Sequence, residues 1–156
     1  MTIAYYLLAF FFSFLTASIG GYFTVLDEWY YSLIQPSWKP DDFVFPIAWT
    51  TIFSLCAVSA GISLNKVTHK RLRLNLIACF FLNATLNVSW SYLYFSMKRP
   101  ELAMLEVIFL WGSILLLMVI VRPMSLLASI LLVPYLIWVT LASALNYQTA
   151  VLNGYL

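Results

Sequence analysis

The sequence predicts an all-α membrane protein, a single domain over residues 1–156 built as a bundle of five transmembrane helices. Of the 156 residues, 63% are hydrophobic and only 9% are charged, with a mean hydropathy of +0.93. Soluble domains carry about 25% charged residues, so this chain has too few charges to cover a surface in water. A membrane-spanning helix needs about 20 apolar residues, and the length leaves room for five spans with short connections.

The predicted spans are residues 3–26, 43–64, 74–97, 102–121 and 124–151. Within lipid every backbone polar group must be paired inside its own segment, so these apolar stretches are expected to be helices. Short connections make neighbouring helices antiparallel. Pro46 falls in the first turn of the second span, where proline is tolerated, and Pro134 is expected to kink the fifth span.

The segment between the first two spans, residues 27–42, is predicted to be a structured lid at the membrane surface. It contains Trp29 and Trp38 together with Pro36 and Pro40. Its prolines fix φ and prevent helix continuation. Its large rings need apolar surroundings, whereas its charged residues need water.

Lysine and arginine counts favour a cytoplasmic N-terminus, with the lid facing outward. Basic residues in the connections orient a membrane protein towards the cytoplasm, and acidic residues count little. The lid side carries Lys39, Lys98 and Arg99. The N-terminal side carries the larger set, which is Lys66, Lys70, Arg71, Arg73 and Arg122.

Polar and aromatic residues share one face of the third span. Asn83, Asn87, Trp90 and Tyr94 are spaced by four, three and four residues, which is helical periodicity. A buried amide is costly without a partner, so this face must look into the bundle. Two interpretations stay open at this point, a ligand cavity or hydrogen bonds that join helices.

The second and fifth spans contribute tryptophans. Trp49 and Phe53 share a face of the second span, although Trp49 also lies where an interfacial aromatic belt is expected. In the fifth span, Pro134, Trp138, Ala142 and Asn146 follow one another at intervals of four. Trp138 is mid-span, where a belt does not explain it. Small residues such as Gly21 and Gly61 allow close helix approach, within the chain or between copies.

Glu106 is the one carboxylate inside a predicted span, and intramembrane ionisable residues are functional candidates. It also lies only about 7.5 Å beyond Glu101 at 1.5 Å per residue, so a carboxylate that simply reaches the interface is the alternative. Cys56 and Cys79 lie in apolar segments and are expected to be small hydrophobic residues.

Conventional catalytic and nucleic-acid-binding signatures are missing from the sequence. It has no phosphate-binding glycine loop, nucleophile elbow or HExxH motif, and no basic face on a soluble fold. His69, the single histidine, lies among cations in a connection. No metal site and no nucleic-acid partner are expected.

Four separated motifs resemble the TspO/MBR family, the tryptophan-rich sensory proteins that include the mitochondrial translocator protein. The first is Trp29, Tyr30, Leu33, Pro36, Ser37, Trp38, Lys39 and Pro40. The second is Pro46, Trp49 and Phe53. The third is Leu82, Asn83, Asn87, Trp90, Ser91 and Phe95. The fourth is Pro134, Tyr135, Leu136, Trp138, Val139, Ala142, Leu145, Asn146, Leu152 and Asn153. The resemblance covers essentially the whole chain.

This resemblance implies a five-helix bundle, commonly a homodimer, with a pocket that opens towards the lid. Family ligands include porphyrins such as protoporphyrin IX, isoquinoline carboxamides and benzodiazepines. By motif position, the implied ligand-binding residues are Tyr30, Pro40, Trp49, Phe53, Asn87, Trp90, Tyr94, Glu106, Trp138, Ala142 and Leu145. Trp29 and Trp38 are expected to anchor the lid to the bundle.

The chain departs from the family pattern in the lid and near its C-terminus. Gln35 replaces a basic residue and Asp41 replaces a second proline, so a less rigid lid is expected. Mitochondrial members also bind cholesterol, through a motif with a basic residue shortly after a tyrosine. No basic residue follows Tyr147 here, and cholesterol is not an expected ligand.

The leading functional expectation is a receptor or sensor for porphyrins in a bacterial cell membrane, linked to tetrapyrrole regulation or oxidative stress. No obligatory cofactor is expected, and a porphyrin would be ligand or substrate. One alternative is light- and oxygen-dependent porphyrin degradation, with Trp49 and Trp138 as redox participants. Another is a small transporter of hydrophobic anions that uses Glu106.

Overall fold

The fold is the all-α membrane bundle that the sequence predicts. The computed structural model of the protein describes residues 2–156, and within them regular structure is exclusively helical. The helices are α1 (Ile3–Phe23), α2 (Glu28–Ser32), α3 (Val44–Lys66), α4 (Lys70–Ser91), α5 (Pro100–Val121), α6 (Leu126–Ile130) and α7 (Val133–Leu152). A π-helical turn, Tyr92–Ser96, extends α4.

Five helical segments within residues 2–156 are long and apolar enough to cross a membrane. They are Ile3–Phe23, Val44–Lys66, Lys70–Ser96, Pro100–Val121 and Leu126–Leu152. α1 packs against α3 and α4, and α5 packs against α4 and α7. The innermost core is formed where α4, α5 and α7 meet, by residues such as Leu76, Leu110, Ile114, Leu117 and Tyr135.

The outer surface is apolar, as a bilayer requires. Large apolar side chains on α1 are widely exposed, with Phe14 at 75% and Leu7 at 63%. Exposed rings and aliphatic chains of this kind have no favourable environment in water but match a hydrocarbon interior. The protein is therefore an integral, multi-pass membrane protein.

The lid contains a helix that the sequence pattern did not indicate. Asp27 caps α2 by accepting a hydrogen bond from the Tyr30 backbone N–H (3.2 Å), and Glu28 adds an acidic group to the first turn. Both features stabilise a helix N-terminus. The helix has only five residues, which is too short for hydrophobic periodicity to reveal.

The third span begins earlier than predicted, at Lys70 rather than at residue 74. Arg73 therefore lies within α4. Its guanidinium donates to the Val67 carbonyl (2.7 Å) and lies 5.3 Å from the Tyr5 ring centroid. A basic side chain at a span end can extend towards the interface in this way, which allows the helix to start among cations.

The fifth span is broken, which corrects the expectation of a single kinked helix. α6 ends at Ile130 and α7 begins at Val133, so Pro134 lies in the first turn of α7. Leu132 bonds to the Ser129 carbonyl instead of continuing the α-helical pattern. The freed Ala128 carbonyl accepts a hydrogen bond from Ser59 of α3 (2.7 Å). This buried bond satisfies the backbone at the break, as lipid surroundings require.

The π-helical turn at the end of the third span widens α4 by one residue. The Met97 N–H bonds to the Tyr92 carbonyl, five residues back, at 2.9 Å. Single π-turns of this kind occur within α-helices and often lie at functional sites. Beyond it, Lys98 has φ = 56° and its ammonium pairs with Asp27 at 2.7 Å, so the start of the lid is attached to the connection between α4 and α5.

Gly61 of α3 packs directly against Tyr6 of α1. A Cβ built at Gly61 would lie 2.3 Å from Cδ1 of Tyr6. This glycine therefore packs within the chain, as small residues at membrane helix contacts do.

We expect Gly61→Val to lower the free energy of unfolding by about 1–3 kcal/mol, the usual cost of overpacking. Gly112→Val is the matched control, because a Cβ there meets no atom within 4 Å. Thermal unfolding in detergent measures both variants. The combination Gly61→Val with Tyr6→Ala should recover most of the loss, and failure to recover it would contradict the contact as the cause.

A candidate ligand cavity beneath the lid

A cavity of about 330 Å³ lies beneath the lid, between α1, α3, α4 and α7. This volume lies within the range of small-molecule sites. The residues that line it are Ala17, Gly20, Gly21, Thr24, Leu26, Tyr30, Gln35, Asp42, Phe45, Pro46, Trp49, Thr50, Phe53, Asn87, Trp90, Ser91, Tyr94, Phe95, Trp138, Ala142, Leu145 and Asn146. α5 contributes none of them, because it packs behind α4 and α7.

The lid is held over the cavity by hydrogen bonds to the C-terminal end of the bundle. Asn153 accepts from the Ile34 N–H (2.9 Å) and donates to the Ile34 carbonyl (3.0 Å). The Trp38 indole donates to Gln148 (2.6 Å), and the Trp29 indole donates to the Tyr155 hydroxyl (3.1 Å). Both tryptophans thus anchor the lid, as expected from the sequence.

Aromatic rings form most of the cavity wall. Trp49 and Phe53 are stacked at 5.5 Å between centroids, and Trp90 and Tyr94 are stacked at 5.4 Å. Trp138 meets Phe45 edge to face at 5.5 Å. The helical faces identified in the sequence for α3, α4 and α7 therefore converge on one space.

The two buried asparagines of α4 make bonds between helices. Asn83 donates to Ser113 of α5 (2.8 Å), and Asn87 donates to the Tyr135 hydroxyl of α7 (3.1 Å). Asn83 does not line the cavity and serves helix packing alone. Asn87 does both, so the helix-joining interpretation holds for both residues and the cavity interpretation holds for Asn87.

Other polar atoms at the cavity have no partner among the described residues. They are Gln35 Nε2, Trp90 Nε1, Trp138 Nε1 and both amide atoms of Asn146. Buried polar groups in native proteins are normally paired, and an unpaired group calls for an explanation. Four of these five atoms are hydrogen-bond donors, and each belongs to a residue that lines the cavity.

The charged groups lie at the lid end. Asp42 lines the cavity and pairs with the Lys39 ammonium at 2.5 Å. Burial raises the pKa of Tyr30, so its hydroxyl stays neutral, and it donates weakly to Asp42 at 3.5 Å. The hydrogen bond from Lys98 holds the pKa of Asp27 below its usual value, which keeps the helix-capping carboxylate ionised.

The cavity is partly open rather than fully enclosed. Gly21, Pro46 and Thr50 line it and have exposed surface. A Cβ at Gly21 would meet no atom within 4 Å, so this part of the wall is loosely packed.

Nine of the eleven residues implied by the family motifs line this cavity. They are Tyr30, Trp49, Phe53, Asn87, Trp90, Tyr94, Trp138, Ala142 and Leu145. Pro40 does not line it, because the lid turns at Pro36–Lys39 and again at Asp41–Val44 and brings Asp42 to the cavity instead.

Glu106 also lies outside the cavity lining. It is on α5, the helix that contributes no residue to the lining. The residue is half-buried, and its two carboxylate oxygens are buried without a hydrogen-bond partner among the described residues.

The structure adds cavity residues that sequence reasoning did not select. α1 supplies Ala17, Gly20 and Gly21, whose small size leaves room for the cavity. Of these, only Gly21 was singled out from the sequence, as a small residue that allows close helix approach. Gln35 and Asn146 were noticed, as a departure in the lid and as a member of a periodic stripe, but neither was assigned to the site.

The family profile of TspO/MBR matches residues 7–152, and so spans the lid and every helix that forms the cavity. The chain belongs to the TspO/MBR family. A tryptophan-rich protein TspO from Chlorobaculum tepidum is 38% identical over 131 residues, covering 81% of this chain and 80% of that protein. Protein CrtK from Rhodobacter capsulatus is 34% identical over 125 residues, covering 80% and 78% respectively. The tryptophan-rich sensory protein of Cereibacter sphaeroides is 33% identical over 127 residues, covering 81% and 78%.

We expect Asn153→Leu to release the lid of this TspO/MBR member, because it removes both bonds to Ile34. At roughly 1 kcal/mol per bond, amide protection in residues 27–42 should fall about tenfold or more. Hydrogen–deuterium exchange measures the effect. Asn75→Leu is the control, because Asn75 is exposed on α4 and away from the lid. Equal protection of the lid in the two variants would contradict this role.

Proposed function

We propose that this TspO/MBR protein binds porphyrins, with protoporphyrin IX as the representative, and isoquinoline-carboxamide or benzodiazepine-type ligands in the cavity beneath the lid. Binding would serve tetrapyrrole regulation or the response to oxidative stress. The observation that carries the proposal is a partly open aromatic cavity, walled by Trp49, Trp90 and Trp138, within a membrane-spanning bundle.

The wall suits a flat conjugated ligand. The stacked pairs Trp49–Phe53 and Trp90–Tyr94 present ring faces from two different helices. Each aromatic contact adds about 0.5–1.5 kcal/mol beyond the burial of apolar area.

The histidine content favours a metal-free porphyrin. The sequence has one histidine, His69, and it is exposed at the start of α4, outside the cavity. A histidine-ligated metalloporphyrin would find no such ligand within the cavity, whereas a free-base ring needs none.

We expect the double variant Trp49→Ala/Trp138→Ala to bind protoporphyrin IX at least tenfold more weakly, from the loss of two ring contacts at about 0.5–1.5 kcal/mol each plus the area that they bury. Quenching of the remaining tryptophan fluorescence measures affinity. Trp111→Ala is the matched control, because Trp111 is exposed on α5 and bonds to Thr140 outside the cavity. Unchanged affinity in the double variant would rule out the stacking model.

A second candidate function is photo-oxidative porphyrin degradation. It is favoured by Trp138, an oxidisable indole that lines the cavity. In this scheme the light-excited porphyrin accepts an electron from an indole and passes it to molecular oxygen, which becomes superoxide. The indole radical then takes an electron back from the porphyrin ring, and superoxide adds to the oxidised ring, so that the porphyrin is oxidised by oxygen and the indole is restored.

Phenylalanine variants separate this activity from binding, because they keep a ring but lose the oxidisable indole. If the indoles take part, Trp49→Phe/Trp138→Phe should bind the porphyrin yet bleach it several-fold more slowly under light, with a dark sample as control. Bleaching at the parent rate would leave binding as the only role of these tryptophans. The transporter alternative has no supporting residue in the cavity, since Glu106 lies outside it.

We also infer a bacterial cell membrane, an N-terminus in the cytoplasm and a homodimer. The first rests on bacterial relatives, the second on the distribution of basic residues, and the third on family resemblance. Cholesterol is not proposed, because no basic residue follows Tyr147.

Orientation has a direct test. In intact cells, a membrane-impermeant maleimide should label Ser37→Cys, which is exposed in the lid, and should not label His69→Cys on the opposite side. The reverse pattern would invert the orientation. Cross-linking within the native membrane tests the proposed homodimer. Recovery of the monomer alone would contradict it.

A further inference from the structure

The two ends of the bundle differ in how their charges are paired. At the lid end every basic residue has an acidic partner, and the pairs are Lys39 with Asp42, Lys98 with Asp27, and Arg99 with Glu101. At the opposite end no lysine or arginine has an ion-pair partner within residues 2–156. The sequence has no acidic residue between Asp42 and Glu101 or after Glu106, so no acidic side chain lies in the connections at this end.

Four of these unpaired cations are exposed, and we call them the basic end of the bundle. They are Lys66, Lys70, Arg71 and Arg122. The first three flank the connection between α3 and α4, and Arg122 directly follows α5. The α6 helix, which comes after Arg122, packs against α3, and Ser59 of α3 bonds to its Ala128 carbonyl. This contact keeps the two connections on the same side of the bundle.

The fifth cation at this end, Arg73, is used within the protein and helps to shape the connection. It is half-buried, its guanidinium donates to the Val67 carbonyl (2.7 Å), and it lies 5.3 Å from the Tyr5 ring centroid. The Thr2 backbone N–H also donates to the side chain of Asn65 (2.5 Å). The exposed cations are therefore carried by a connection that is tied to α1.

The basic end is electrostatically unfavourable for the protein alone. Lys70 and Arg71 lie in the first turn of α4, which contains no acidic residue, and His69 makes no side-chain capping bond. A helix N-terminus carries partial positive charge and disfavours cations. By contrast, α2 and α5, which begin at the lid end, each have a glutamate in the first turn. An anion at the basic end would offset the repulsion among its cations.

Exposed apolar side chains lie beside these cations. They are Leu72 and Leu74 at the start of α4 and Leu126 and Leu127 at the start of α6, all more than half exposed. In a bilayer such side chains contact acyl chains, while the neighbouring basic side chains extend to the headgroups. A soluble anion would meet the cations alone, whereas an anionic phospholipid matches both the cations and the leucines.

We propose that the basic end is a binding surface for anionic phospholipids, with phosphatidylglycerol as the representative. The headgroup phosphate lies among the four exposed cations, and the acyl chains lie against the leucines of α4 and α6. In the orientation proposed above, this surface faces the cytoplasmic leaflet, whose anionic lipids attract basic segments next to membrane spans. Because the basic end is opposite the lid, the inference is independent of what the cavity binds.

Thermal unfolding of the purified protein in a neutral detergent tests the proposal. Three additives are compared: phosphatidylglycerol, phosphatidylcholine with the same acyl chains, and glycerol phosphate as the soluble headgroup. A ligand that binds only the folded state raises the Tm as its concentration exceeds its dissociation constant. The test variants are Lys70→Gln and the quadruple variant Lys66→Gln/Lys70→Gln/Arg71→Gln/Arg122→Gln. Arg99→Gln is the matched control, because it removes one exposed cation from the lid end.

Phosphatidylglycerol should raise the Tm of the parent, and the other two additives should not. Lys70→Gln should require about fivefold more phosphatidylglycerol for the same shift, the usual effect of one cation near an anionic membrane surface. Arg99→Gln should respond as the parent does, and the quadruple variant should lose the shift. Raising the ionic strength from about 0.1 M to about 1 M should weaken the response of the parent, because salt screens exposed charges.

The Tm before lipid is added separates binding from a structural role. Lys70→Gln/Arg71→Gln should unfold at the parental Tm or above it, because the change removes two cations from a helix N-terminus. A lower Tm in this double variant would mean that these residues stabilise the fold themselves, and would contradict the proposal. If the quadruple variant does not fold, the double variant takes its place and should lose most of the lipid response.

Four results with the lipids would overturn the inference. No shift in the parent would mean that the surface binds none of the three additives. Equal shifts with the two phospholipids would show that acyl chains alone are responsible. An equal shift with glycerol phosphate would assign the cations to a soluble phosphate. A parental response in the quadruple variant would place the phospholipid elsewhere on the bundle.

Discussion

The cavity depends on the pair of hydrogen bonds between Asn153 and the backbone of Ile34. These bonds imitate the pairing between two strands, because one side chain satisfies both the N–H and the carbonyl of a single lid residue. The indole bonds of Trp38 and Trp29 reinforce them. Without this attachment the aromatic walls would enclose only a groove open to water, and the electrostatic isolation of the interior would be lost.

The fold and the main walls of the site were predictable because their patterns are long and repetitive. Twenty-residue apolar segments define the spans, and tryptophans at helical spacing locate Trp49, Trp90 and Trp138 on inward faces. What escaped prediction has a weaker pattern. The lid helix has only five residues, and the cavity wall from α1 is made largely of glycine and alanine. The position of Glu106 outside the cavity could not be predicted, because the sequence does not show which side of α5 faces the neighbouring helices. Pro134 marked the break in the fifth span without showing whether the helix bends or stops.

Some buried polar groups of the bundle are paired and others are not. Ser59, Asn83 and Asn87 are buried and paired, and each bond joins two helices. The indole N–H of Trp138 and the amide of Asn146, both on α7, have no partner among the described residues. In hydrocarbon surroundings both conditions affect the free energy of the fold, because a bond between helices stabilises the bundle and an unpaired buried group is costly.

The attachment of the lid also constrains the order in which the protein can fold during its synthesis. Its hydrogen bonds join residues 110 to 126 positions apart, and their C-terminal partners are translated after α1 to α6. A nascent chain that has inserted its first four spans therefore cannot yet hold its lid in place. The lid can be attached only after the C-terminal end of α7 has been synthesised, and the last residues of the chain thus complete the cavity.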